Sequence, residues 1–481
     1  MLGRPAALDD FPDADLDRVA AAGFEWVWLL GVWQTGDAGR AVSLRTPELQ
    51  PEFRELLADF TPEDVVGSPF AVREYVVHRD LGGPPALERL RKRLRDRGVR
   101  LMLDFVGNHM ALDHSWVQEH PEFFVQGSEG DLAREPQNFV RLDTGSGPRV
   151  LAHGRDPYFP GWSDTLQLNY RHAGLRRAMT RILRQISQQC DGLRCDMAML
   201  LLPDVIARTW GERARPVDGS TPVDTPFWPG AIKEARDQHA DFLFMAEAYW
   251  DLEAALQQQG FDYTYDKRLY DRLRAPDAGA IIDHLRADPE YQQRSVRFLE
   301  NHDEPRAAAT FAPDVHRAAA AIAFLVPGMR FIYEGQLTGR KLRVSNHLRR
   351  RAPEPIDREL ETFYSRLLAV MRRAEVRDGQ WRLLDREPVP NGDGAWRQLI
   401  AFAWEQNDRR LLVAVNWGPG RAQGCIRPPF GGLDGATWLL ADLLEPTDRR
   451  ERDGAQLTRQ GLTLDLPGWR PTVLALTPVT R

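Results

Sequence analysis

The sequence predicts an α/β protein built on a parallel sheet, with an antiparallel β domain at its C-terminal end. Two observations carry this. Through most of the chain, short apolar runs that end on polar or acidic residues alternate with amphipathic helices, the rhythm of a parallel sheet with crossover helices. After residue 373 the rhythm stops, and short strand-like runs follow one another with Gly, Pro and Asp between them and no helix, the pattern of antiparallel strands.

Taken in order, residues 15–22 read as a short helix with Leu16 and Val19 on one face, stopped by Gly23. Trp26-Val27-Trp28-Leu29-Leu30 reads as a fully buried strand, and residues 67–75 as loop. A helix from about Pro85 carries Leu87, Leu90 and Leu94 at helical spacing, with Gly98 as its cap, and leads into the strand Leu101-Met102-Leu103-Asp104. Between His109 and a helix from about His172 lies a stretch rich in Gly, Pro, Asp and aromatics with little periodicity. So long a structureless loop is unusual inside a compact core, so it reads as an inserted subdomain. The helix bearing Leu175, Met179, Ile182, Leu183 and Ile186 feeds Gly192-Leu193-Arg194-Cys195-Asp196. Strands follow at 242–246, weakly at 261–265, at 296–299 and at 329–333, then a long helix over 357–373. Runs at 399–404, 411–416 and 462–466 form the terminal β domain, which begins near Trp381.

At 481 residues the chain exceeds one small core. A net charge of −6 gives no basic balance inviting nucleic acid, and no apolar run approaches the ~20 residues of a membrane span. The three cysteines, Cys190, Cys195 and Cys425, lack metal-ligand spacing and read as free thiols. No apolar signal region opens the sequence, so a cytoplasmic location is expected.

Arg194 and Asp196 sit two apart, so on a strand they face the same side, which is how an ionised carboxylate is tolerated at a buried strand tip. Three other strands also end on polar groups: Asp104 running on to Asn108 and His109, the strand ending at Glu247, and the strand running on to Glu300, Asn301, His302 and Asp303.

The stretches DFVGNH, GLRCDMAML, FMAEAYW and FLENHDEPR, in this order, resemble the four signature regions of the α-amylase superfamily of glycoside hydrolases. The resemblance implies a parallel (β/α)8-type TIM barrel with a small inserted subdomain after the third strand, divided as barrel over 1–109, subdomain over 110–170, barrel over 171–380 and a C-terminal β-sandwich over 381–481. Family members begin with an earlier strand than the Trp26 run, and nothing before it reads as an apolar strand. The barrel is therefore expected to lack its first strand, through a start downstream of the true one or through a seven-stranded barrel with a gap. The first alternative leaves localisation open, because an upstream segment could carry a signal.

By resemblance Asp196 is the nucleophile, Glu247 the general acid/base and Asp303 the carboxylate that binds sugar hydroxyls and stabilises the transition state. Retaining cleavage needs two carboxyl groups about 5–5.5 Å apart, which neighbouring strand tips supply. Arg194 is expected to keep Asp196 ionised, and Glu247, after an apolar run, to be pushed toward its protonated form by desolvation. His109 and His302 resemble the two family histidines that hydrogen-bond the sugar, and Phe70 the aromatic that stacks on it. Asp104 braces the rim. Trp33, Tyr158, Phe159, Trp162, Tyr249 and Trp250 lie in rim loops and are candidates for outer subsites, with packing the simpler role for each. Met197 stands where many amylases carry a small residue. The basic group Lys341, Arg343, Arg349, Arg350 and Arg351 reads as a solvated loop pairing with Glu354 and Asp357. No cofactor is required, and calcium is left open at Asn108.

The function expected is a retaining α-glycosidase acting on α-glucosidic bonds of short α-1,4-glucans, with no nucleic-acid or membrane partner. The alternatives are a transglycosylase or phosphorylase working through the same intermediate, and a relative without catalysis that serves as a binding or partner protein.

Overall fold

The computed structural model describes residues 6–390 and 392–479. The chain divides into two compact units. One comprises the described residues up to Tyr265 together with Val344–Ala352; the other comprises Asp266–Arg343 and the described residues from Pro353 onward.

The first unit opens with the helix Asp13–Ala21, after which Gly23 turns the chain with φ +89°. Its strands are β1 (Trp26–Trp28), β2 (Trp33–Thr35), β3 (Val72–Val77), β4 (Arg100–Val106), β5 (His109–Ala111), β6 (Gln126–Gly127), β7 (Phe139–Thr144), β8 (Gly147–Ala152), β9 (Thr165–Gln167), β10 (Gly192–Asp196), β11 (Leu243–Ala246) and β12 (Tyr263–Tyr265). Five of them pair in parallel in the order β1-β4-β10-β11-β12. The helix Gly83–Arg95 leads to β4 and buries Ala86, Leu87, Leu90 and Leu94; Ala173–Ser187 leads to β10 and buries Leu175, Met179, Leu183 and Ile186. Strands and helices share one core.

Two local expectations change. The Trp26 run is half-buried rather than fully buried, because β1 ends its sheet and pairs with β4 alone, leaving Trp26 to lie against the Arg100 guanidinium at 4.1 Å. Residues 72–75, read as loop, belong to β3, which pairs antiparallel with β2. The exposed Arg73 and Glu74 between buried ends hide that strand from a period-2 reading. The aperiodic stretch after His109 is folded: β5 pairs with β9, and β6-β8-β7 form an antiparallel sheet over Val125, Phe139, Val150 and Ala152.

In the second unit β13 (Ser295–Arg297) and β14 (Met329–Arg330) pair in parallel, separated by the helix Pro313–Leu325. The barrel series thus has five strands in one unit and two in the other, and no strand precedes β1 among the described residues, as expected. After the helix Arg358–Met371 come β15 (Gln380–Leu383), β16 (Arg386–Glu387), β17 (Leu399–Gln406), β18 (Arg409–Asn416), β19 (Ala422–Ile426), β20 (Thr437–Asp442), β21 (Arg449–Asp453), β22 (Leu462–Leu466) and β23 (Pro471–Pro478). They form an antiparallel sheet in the order β15-β17-β18-β23-β20-β21 and a second in the order β16-β19-β22. Ile400, Phe402 and Trp404 face the core shared with the helices Pro313–Leu325 and Arg358–Met371, whereas Leu399, Ala401 and Ala403 face the core under the second sheet.

The basic group pairs differently from expectation. Arg350 reaches Asp59 and Asp64, while Glu354 accepts the backbone N–H groups of Lys341 and Leu342, and Asp357 caps the following helix. The three cysteines are free and buried. Among the described residues no helix is long and apolar enough to cross a membrane.

Candidate active site

Parallel register places the first group of functional side chains. Arg194 lies opposite Asp104 on β4, and Cys195 opposite Ala246 on β11, so Asp196 and Glu247 follow side by side at the ends of neighbouring strands. Arg194 is fully buried between them. Its Nη1 donates to Asp196 Oδ1 at 2.7 Å and lies 3.5 Å from Asp104 Oδ1, and its Nη2 stands 2.8 Å from Glu247 Oε2. Burial opposes the guanidinium charge, but the surrounding acidic groups, Glu247 foremost, outweigh it and hold Arg194 firmly protonated. The rings of Trp28, Phe70 and Tyr265 face its guanidinium carbon at 5.2, 5.5 and 5.8 Å. Arg194 therefore serves both carboxylates, not Asp196 alone as the spacing suggested.

Glu247 is 3% exposed and collects further donors. The Met197 N–H donates to Oε2 at 2.7 Å, and the Tyr249 hydroxyl to Oε1 at 2.9 Å. Met197 takes φ +41°, a left-handed conformation that a side chain disfavours.

His109 sits at the start of β5, buried, with its ring 5.1 Å from that of Trp162 and hydrogen-bonded to the backbone of Phe70. Burial brings its pKa down to about 3, so the imidazole is neutral at ordinary pH. A Cβ at position 154 would stand 2.7 Å from His109 Cβ, so Gly154 is what lets the subdomain close over this histidine. Asp104 braces the rim as expected: Oδ2 accepts the Gly31 N–H, and its carbonyl accepts the buried Trp33 indole. Trp33 therefore packs rather than lining a subsite. Tyr158 and Phe159 are exposed, held by Asp156, which accepts both of their N–H groups; Tyr158 meets the Trp250 ring at 4.9 Å.

Asn108 is closed on Gln167, whose Nε2 donates to Asn108 Oδ1 at 2.9 Å, and among the described residues no group of three or more His, Cys, Asp or Glu could hold a metal.

His302 and Asp303 belong to the second unit, beyond the end of β13. His302 is buried, with Nε2 3.0 Å from Asp303 Oδ2, and Asp303 itself is exposed. Asn301 Oδ1 accepts the N–H groups of Asp303 and Glu304, fixing the turn. Beneath it Arg306 pairs with Glu300 at 2.6 Å.

Sequence reasoning missed Trp28 and Tyr265 as walls around Arg194, and Tyr75, whose hydroxyl bonds both the N–H and the carbonyl of Val106. It named Tyr249 only as a rim aromatic; its place two residues after Glu247 was the available signal.

The family model for the α-amylase catalytic domain matches residues 70–366. The chain is 26% identical over 355 residues to the α-amylase MalA of Haloarcula japonica, covering 72% of this chain and 46% of that protein. It is 30% identical over 137 residues to an α-1,4-glucan:maltose-1-phosphate maltosyltransferase of Salinibacter ruber, covering 26% and 19%. Its fold matches the maltogenic α-amylase AmyB of Thermotoga neapolitana with a TM-score of 0.68 at 20% identity, covering 96% of this chain and 93% of that one. The chain spans about half the length of the first curated relatives it matches.

Proposed function

Because the chain belongs to the α-amylase family, its catalytic-domain model matching residues 70–366, we propose that it is a retaining glycoside hydrolase acting on α-glucosidic bonds of short α-1,4-glucans. The observation that carries the proposal is the Arg194 cluster: two carboxyl groups at the ends of β10 and β11 with one buried guanidinium between them.

That arrangement suits a double displacement. The Asp196 carboxylate, oriented by Arg194, attacks the anomeric carbon while Glu247 gives its proton to the departing glycosidic oxygen, leaving a glycosyl ester on Asp196. Glu247, now ionised, takes a proton from water, which attacks the anomeric carbon of the ester, displaces the Asp196 carboxylate and releases a sugar with the original anomeric configuration. Asp104, Asp196 and Glu247 around one guanidinium leave an excess of negative charge when all three are ionised, which favours a proton on one of them. His109, neutral, can donate a hydrogen bond to a sugar hydroxyl without adding charge. The roles of Phe70, His302 and Asp303 in gripping the sugar come from the family motifs they match. A cytoplasmic location belongs to the same proposal, supported by three free, buried thiols.

A second reading, transfer of the glucosyl unit to a sugar or phosphate, draws on the similarity to a maltosyltransferase. Both use the same ester and differ in how well water is kept from it. The test is product analysis on maltooligosaccharides, sucrose and trehalose, each with and without phosphate or an acceptor sugar, with Glu247→Gln as blank. Shorter glucans with free reducing ends support hydrolysis; transfer products support the second reading. A folded protein inert on the whole panel contradicts both.

A further inference from the structure

Within the first unit the two oxygens of Glu247 face different groups. Oε2 accepts the Met197 N–H and faces Arg194 Nη2 at 2.8 Å, while Oε1 accepts the Tyr249 hydroxyl. An oxygen that accepts one N–H and faces a guanidinium is a poor place for a proton. The acid form of Glu247 must therefore carry its proton on Oε1, the oxygen that Tyr249 occupies.

We infer that Tyr249 is a positioning residue that governs the acid form of Glu247. Its phenol, by donating to Oε1, favours the carboxylate between turnovers; protonation of Oε1 requires the phenol to become an acceptor or to withdraw, and delivery to the substrate requires it to release the proton. The inference rests on the reading of Glu247 as the proton donor. The balance is simple: the proton passes from Oε1 to the glycosidic oxygen as the bond to the anomeric carbon breaks, and the phenol keeps its own proton. In the first unit Arg194 faces this carboxyl, and Asp196, Asp104 and the Tyr265 phenol act in turn on Arg194.

The loop that carries Tyr249 is built to hold it. Trp250 and Asp251 follow with φ +61° and +64°, two consecutive left-handed residues that are not glycine, a strain of the kind found at functional sites. The Trp250 ring is braced against Tyr158, and the Arg208 guanidinium lies 5.4 Å from the Tyr158 ring on the subdomain side.

The test compares Tyr249→Phe and Tyr249→3-fluorotyrosine with the parent, following kcat/KM against pH for maltotriose and for α-glucosyl fluoride, whose leaving group needs no proton. In Tyr249→Phe the loss of a donor to the carboxylate should move the alkaline limb for maltotriose up by about one pH unit. The loss on maltotriose should exceed that on the fluoride at least fivefold. The fluorinated phenol, a stronger donor that keeps the ring in place, should move the limb down. Unmoved limbs with equal losses on both substrates overturn the inference. If Tyr249→Phe does not fold, an unmoved limb in the fluorotyrosine protein overturns it alone. A parent inactive on both substrates instead removes the reading of Glu247, and the inference with it.

Discussion

Arg194 is the residue on which the charge balance of the first unit turns. Removing one partner of a buried ion pair leaves the others uncompensated, at a cost of about 3–5 kcal/mol. Arg194→Met is therefore expected to lose that much stability in urea unfolding, and Arg194→Lys to lose activity more than 100-fold, because an ammonium cannot span Asp196 and Glu247 with two fixed nitrogens. His109 sets a second prediction. Its folded pKa, brought down to about 3 by burial, lies below the ordinary value near 6.5, so the unfolded chain binds the extra proton between those values. Its contribution is fully present above pH ~6.5 and shrinks as pH falls toward 3. The parent should lose about 3 kcal/mol more than His109→Gln between pH 6.5 and 4, read by urea unfolding at the two pH values. The pairing of Arg194 with Asp196 was legible, since both lie on one strand two residues apart. Its sharing with Glu247 was not, because it depends on the register of β10 against β11, which no local pattern encodes.

At the scale of elements, the segment Val344–Ala352 returns to the first unit and is fastened there. Val65 bridges to Leu348, Phe53 and Leu57 pack beside them, and Arg350 holds the Asp64 carboxyl down to about 2. A carboxyl depressed in the folded state stabilises above its unfolded value near 4 and loses that contribution as pH falls toward 2. Asp64→Asn should therefore unfold more readily than the parent at pH 7, with the difference closing between pH ~4 and 2; circular dichroism during acid titration reads this directly. The sequence showed the basic group, but its acidic partners Asp59 and Asp64 lie far away along the chain, where short-range charge pairing does not look. The strands of the terminal sheet were visible for the opposite reason. β17 and β18 are apolar on both faces, so they read as continuous hydrophobic runs. The short edge strand β1 read as buried because its two tryptophans and valine carry no sign of which neighbours the sheet provides.

At the scale of the whole molecule, the second unit joins barrel helices and the terminal sheet in one core. Phe402, Trp404 and Val413 share it with Phe324, Tyr364 and Leu367, and the Trp404 indole donates to the Leu325 carbonyl at 2.7 Å. Trp404→Ala should cost about 3–5 kcal/mol, seen as a lower urea midpoint, and a chain stopped at Asp378 should fail to fold its second unit, seen as lost near-ultraviolet circular dichroism. The change from alternating helices and strands to consecutive strands was legible in composition. That this change falls inside one packed unit was not, because a shared core leaves no mark on the local pattern. The proposed reaction depends above all on Asp196 forming the glycosyl ester. The most direct measurement is incubation with 5-fluoro-α-glucosyl fluoride followed by peptide mass spectrometry. One added fluoroglucosyl group is expected on the peptide containing Asp196, absent from Asp196→Asn; a label on another residue, or turnover with inverted configuration and no label, would overturn that role.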